Sequence, residues 1–129
     1  MRIKRIHHVA IICKDYKRSK DFYVNILGFK IVHEAYRKER ESYKLDLELF
    51  NNKIELFSFK DSPKRPSYPE ALGLRHLAFE VSDIEREVEF LKSNNIDVED
   101  IRIDEFTGKK FTFFSDPDGL PLELYEIKE

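Results

Sequence analysis

The sequence contains a single cysteine, Cys13, so no disulfide can form within the chain. It has no apolar run near the roughly 20 residues needed to cross a bilayer, and the short Val9 to Cys13 stretch near the amino terminus is cut off by Lys14 and Asp15. Charge of one sign is also lacking: 23 Lys and Arg stand against 25 Asp and Glu, a formal net charge of −2. Such a balance provides no field to recruit nucleic acid or an anionic membrane. Gly-rich phosphate loops, low-complexity tracts and a Ser-His-Asp order are absent too. These absences predict a cytoplasmic protein that works on a small-molecule substrate, with neither nucleic acid nor membrane as partner. Its 129 residues, 41% hydrophobic and 37% charged, fit one compact domain spanning 1–129.

What the chain does have is an internal repeat. Shifted by 68 residues, Ile6-His7-His8-Val9-Ala10 falls on Leu74-Arg75-His76-Leu77-Ala78, and Ile54-Glu55-Leu56 falls on Leu122-Glu123-Leu124. Asp15, Arg18 and Phe22 likewise meet Asp83, Arg86 and Phe90. Each half reads as strand, helix and three strands. The first strands are expected near 5–13 and 74–81, from their β-branched and apolar residues. Asp15 and Asp83 suit helix N-caps. Tyr16, Ser19, Phe22, Tyr23 and Ile26 recur at helical spacing, as do Ile84, Val88 and Leu91. Gly28 and Asn95 suit a left-handed helix exit. Further strands are expected near 29–36, 42–50 and 53–59, then 96–103, 110–115 and 120–127. Asn51-Asn52 and Asp116-Pro117-Asp118-Gly119 supply the reversals before the last strand of each half. The halves cover about 1–60 and 73–129, and the connector 61–72, with Pro63, Pro66 and Pro69, is expected to be extended. The expected fold is α+β: two tandem βαβββ modules forming a curved mixed sheet around a metal-binding cleft.

The repeat also duplicates a pair of polar residues. His8 and Glu55 are 47 residues apart, and so are His76 and Glu123. Alternation along a strand sets His8 with Ala10 and Ile12, Glu55 with Phe57 and Phe59, His76 with Ala78, and Glu123 with Tyr125. A carboxylate in such an apolar row is costly to desolvate unless it is paired or coordinated. Taken singly, a strand histidine is more often a hydrogen-bonded core or surface residue, and Glu55 could face solvent on a sheet edge. As four residues repeated at one offset, His8, Glu55, His76 and Glu123 point to one divalent metal ion. His7 is expected to point away from His8, His33 has no counterpart, and Cys13 reads as a buried inert thiol. Arg37, Arg40, Arg65, Lys109 and Lys110 are basic groups placed in loops that could grip an anionic substrate, although solvated loop charge accounts for most of them.

These residues carry a resemblance. His8-Val-Ala-Ile-Ile12, Asp15, Phe22-Tyr23, Leu27-Gly28-Phe29, Ile54-Glu55-Leu56, Gly73-Leu-Arg-His-Leu-Ala-Phe79 and the stretch from Asp116-Pro-Asp-Gly119 to Leu122-Glu123-Leu124 resemble the glyoxalase I, bleomycin-resistance and extradiol-dioxygenase (vicinal oxygen chelate) superfamily. The chain is most similar to its small bacterial glyoxalase-I-like proteins. The resemblance implies a metal site of His8, Glu55, His76 and Glu123 holding Ni²⁺, Co²⁺ or Zn²⁺, and a homodimer. It also implies lyase chemistry on the hemithioacetal of a 2-oxoaldehyde, with Glu123 moving the proton and Glu55 as second carboxylate ligand and alternative base. Glutamate at position 55 resembles glyoxalase I, whereas dioxygenases and fosfomycin-modifying thiol transferases lack it and epimerases typically carry glutamine there. Those chemistries, or metal-free binding of a drug or metabolite, are the alternatives on the same scaffold.

Overall fold

The computed structural model describes residues 1–128. It contains two compact units, Met1–Lys64 and Arg65–Glu129. Each has the expected order of elements.

In the first unit, β1 (Val9–Cys13) leads to helix α1 (Tyr16–Asp21), followed by β2 (Lys30–Arg37), β3 (Ser42–Leu49) and β4 (Asn52–Ser58). The sheet order is β1-β4-β3-β2; β1 runs parallel to β4 and the other pairs are antiparallel. A mixed sheet follows because the helix carries the chain to the far edge, where β2 starts in the direction of β1, and two reversals then bring β4 back beside β1 in that same direction. The second unit repeats this with β5 (Leu77–Val81), α2 (Ile84–Ser93), β6 (Arg102–Ile103), β7 (Lys110–Ser115) and β8 (Pro121–Glu126), in the order β5-β8-β7-β6. The register is repeated as well: Ala10 lies beside Glu55 in one unit and Ala78 beside Glu123 in the other.

Alternation gives each sheet two unlike faces. Leu45, Leu47, Ile54, Leu56 and Tyr23 are buried at 4% exposure or less, and Phe22 is buried with them. Lys44, Asp46, Glu55 and Phe57 occupy the opposite face. In the second unit Thr112, Phe114, Leu122 and Leu124 are buried, with Ile84, Val88 and Leu91 of α2; Phe111, Phe113, Glu123 and Tyr125 lie opposite. The hydrophobic cores thus leave one face of each sheet for other work.

The caps form as the sequence suggests. Asp15 accepts from the Arg18 backbone N–H and Asp83 from that of Arg86, both at 3.2 Å. Gly28 and Asn95 take left-handed conformations, with φ of 88° and 62°. α1 is shorter than its periodicity implies and passes into a π-helical turn at Phe22–Ile26, where Leu27 N–H donates to the Phe22 carbonyl.

Other expectations are corrected. The first strands begin at Val9 and Leu77 rather than near 5 and 74, so both histidines sit just ahead of their strands. The strand expected over 96–103 shrinks to Arg102–Ile103, because Asp97, Glu99 and Asp100 have low strand propensity. That segment is held instead by irregular bonds, Glu99 N–H to the Phe113 carbonyl and Thr112 Oγ1 to the Glu99 carbonyl. The β3–β4 reversal uses Phe50 and Asn51, with Phe50 at φ 54°, and Asn52 already belongs to β4. Asp116 fulfils its turn role: its Oδ1 accepts from the N–H groups of Asp118 and Leu120. Residues 59–76 carry no helix or strand, and 67–70 form a turn.

Candidate metal centre

Each unit brings one histidine to one glutamate. In the first, His8 Nε2 lies 3.4 Å from Glu55 Oε2; in the second, His76 Nε2 lies 3.0 Å from Glu123 Oε1. The glutamates stand mid-strand on the face away from the core, and each histidine is brought beside them from just ahead of the neighbouring parallel strand, β1 or β5. Both pairs are partly sheltered, with side-chain exposures of 37% and 22% for His8 and Glu55 and 25% and 13% for His76 and Glu123.

The other imidazole nitrogen is engaged in each case by the preceding residue. His7 Nδ1 is 2.9 Å from His8 Nδ1, and Arg75 Nη1 is 3.1 Å from His76 Nδ1. The expectation that His7 points away from His8 is therefore corrected, since strand alternation does not apply ahead of Val9. The result is that Nε2 of each ring is the nitrogen turned to the glutamate; because a guanidinium only donates, His76 Nδ1 accepts from Arg75 and His76 Nε2–H donates to Glu123 Oε1.

The surroundings include residues that the sequence reading missed. Asp46 lies across the β3–β4 ladder from Glu55. Lys44 Nζ is 2.5 Å from Asp46 Oδ1 and 3.6 Å from Glu55 Oε1. Its hydrogen bond to Asp46, followed by the negative charges of Asp46 and Glu55, raises the Lys44 pKa, so the ammonium stays charged. Across from Glu123 is Phe113, whose ring meets the His76 imidazole edge-on at 5.0 Å. The cross-strand register, unreadable without the turn lengths, was the missing signal for Lys44, Asp46 and Phe113. Arg75 was legible in principle, since the 68-residue shift lays it on His7.

The remaining candidates have separate roles. His33 Nδ1 is 3.9 Å from Asp46 Oδ2 and its side chain is 67% exposed. Cys13 is buried. Arg37 and Lys110 are strand residues, not loop residues. Arg37 packs over Phe57 and Phe59 and donates to Ser42 Oγ, whereas Lys110 pairs with Glu85. Arg65 donates to the carbonyls of Leu74 and Arg75. Asp83, Glu85 and Glu126 form a separate acidic group with carboxylate oxygens within 4.8 Å of one another. Two of them cap α2, Asp83 through Arg86 N–H and Glu126 through Ile84 N–H, which accounts for the cluster structurally.

Comparison with known proteins places this geometry in a family. The model of the Glyoxalase/Bleomycin resistance protein/Dioxygenase superfamily matches residues 5–124. The chain belongs to this superfamily. Among its relatives is the uncharacterized protein YwkD of Bacillus subtilis, 59% identical over 127 residues, covering 98% of this chain and 99% of the relative. The metallothiol transferase FosB of Staphylococcus saprophyticus is 32% identical over 128 residues, covering 95% of this chain and 77% of that protein. A crystal structure of a glyoxalase family protein from Enterococcus faecalis is 55% identical with a TM-score of 0.91, covering 95% of this chain and 98% of that one. Superfamily members are typically dependent on a divalent metal and bind small molecules. No helix among the described residues is long and apolar enough to cross a membrane.

Proposed function

We propose that His8, Glu55, His76 and Glu123 together hold one divalent metal ion. In this reading the protein is a glyoxalase-I-like lyase that converts the hemithioacetal of a 2-oxoaldehyde and a low-molecular-weight thiol into a 2-hydroxyacyl thioester. The observation that carries the reading is the doubled histidine–glutamate pair, one in each unit at the same ladder position, with glutamate rather than another residue at 55.

The donors suit such an ion. Two imidazole nitrogens and two carboxylates accommodate Ni²⁺, Co²⁺ or Zn²⁺, the ions the family resemblance implies. Ligands about 2.1 Å from a metal and at right angles to each other lie about 3 Å apart, and the two nitrogen–oxygen separations are 3.4 and 3.0 Å. A bound divalent ion would supply Lewis acidity, polarising the vicinal oxygens of the substrate. Glu123, the less exposed carboxylate, takes the proton from the carbon bearing sulfur and returns it to the adjacent carbon. This is an internal redox shift between two carbons and needs no external oxidant. His76, braced by Phe113 and Arg75, is held beside that carboxylate. Glu55 is the second carboxylate ligand and the alternative base, with Lys44 and Asp46 fixing its surroundings. The reading includes a homodimer in the cytoplasm; the ligand set is the same whether the two pairs come from one chain or from two.

A second reading, metal-dependent transfer of a thiol to an electrophile, is favoured by the 32% identity to a metallothiol transferase. The test is to reconstitute the purified protein with Ni²⁺, Co²⁺ or Zn²⁺ and assay methylglyoxal with several thiols. Thioester formation is expected. Thiol consumption by an electrophilic acceptor without thioester would favour the second reading, and failure to bind any metal would overturn both and leave a metal-free binding protein.

A further inference from the structure

Beside the His76–Glu123 pair, the second unit contains an open cavity of about 300 Å³, at the lower end of the range for small-molecule sites. Three arginines line it, Arg65, Arg75 and Arg102, together with Phe113. The guanidinium carbons of Arg75 and Arg102 lie 6.0 and 5.9 Å from the centre of the Phe113 ring, so two like charges are gathered on one aromatic side chain. Each has a carboxylate neighbour: Glu70 is 3.6 Å from Arg75 and Glu99 is 3.0 Å from Arg102. These acids are 63% and 61% exposed, and ion pairs so open to solvent hold weakly. Arg65 spends one nitrogen on two backbone carbonyls, while its Nε is buried without a hydrogen-bond partner. Three cations against two loosely held anions leave one positive charge over, and a guanidinium group presents the fork that fits an oxyanion.

We infer that this cavity is the subsite for an oxyanion group of the substrate, a carboxylate or a phosphoryl group, held by Arg75 and Arg102 with its apolar body against Phe113. Arg75 and Phe113 both touch the His76 ring as well. A molecule anchored there has its remainder beside Glu123. The substrate class is thus an anionic metabolite, and only the orientation of its reacting end rests on the metal-site reading. Glu70 and Glu99 swing toward solvent as the oxyanion takes their place.

The test uses the whole chain and two probes, phenyl phosphate and phenylacetate, titrated by calorimetry first into metal-free protein and then into metal-loaded protein. One saturating site is expected for at least one probe, and the preferred probe tells a phosphoryl from a carboxylate substrate. Arg102→Gln and Arg75→Gln should each weaken it roughly tenfold, whereas Arg37→Gln in the other unit should leave it unchanged. Thermal midpoints of the variants, with Arg102→Lys as a charge-conserving check, separate loss of binding from loss of fold. No saturable binding of either probe at millimolar concentration, or equal affinity in all variants, would overturn the subsite. Metal uptake without probe binding would remove the subsite and keep the metal centre; probe binding without metal uptake would do the reverse.

Discussion

In the first unit Glu55 faces Asp46 across its ladder and has the Lys44 ammonium 3.6 Å away; in the second, Glu123 faces Phe113, whose ring meets His76. The pair is constant and its surroundings are not. A one-residue difference in the turn contributes: nine residues separate Glu55 from its ladder partner and ten separate Glu123 from its own, so the third strands of the two halves are offset by 67 rather than 68. The first pair is set among charges, the second against an aromatic wall. On this view the first unit tunes binding of the ion, and the second, with the drier carboxylate, carries the proton.

That division predicts unequal outcomes from equal substitutions. Glu123→Gln should lower lyase turnover by about 10²- to 10⁴-fold, the usual contribution of a general base, while Glu55→Gln should act mainly on metal affinity. Steady-state kinetics on metal-saturated variants decides between them, and equal losses in kcat would erase the distinction. Lys44→Met removes a cation from beside one ligand and should tighten metal binding, roughly tenfold given charges a few ångströms apart. A chelator-competition titration showing weaker binding would mean that Lys44 organises Glu55 rather than opposing the ion.

Where the two units are alike, the effects should be alike. Asp15→Ala and Asp83→Ala remove equivalent N-caps, and each should cost about 1 kcal/mol in denaturant unfolding. A much larger loss at Asp83 would show that the neighbouring Glu85 and Glu126 depend on it.

Much of this symmetry is legible in the sequence. The 68-residue repeat fixed the order of elements, the capping aspartates, the left-handed exits at Gly28 and Asn95 and the four polar residues, because each depends on local chemistry or on spacing along the chain. The surroundings were not legible. Lys44, Asp46 and Phe113 meet the glutamates only through cross-strand register, which depends on turn length, and the β3–β4 turn fell on Phe50 and Asn51 rather than on the paired asparagines. His7 departs from strand alternation for another reason: it lies ahead of Val9, outside the ladder. The cavity lined by Arg75 and Arg102 depends on the irregular path of residues 65–71 and 99–102, where neither periodicity nor propensity gives a signal.

The central claim is that the two pairs act on one ion. Elemental analysis of the metal-reconstituted protein, compared with His8→Ala and His76→Ala, tests it most directly. The account predicts close to one divalent metal per four-residue ligand set in the wild type and loss of it in both variants, although the substitutions lie in different units. Metal retained at full stoichiometry when either histidine is removed, or none bound by the wild type, would contradict it.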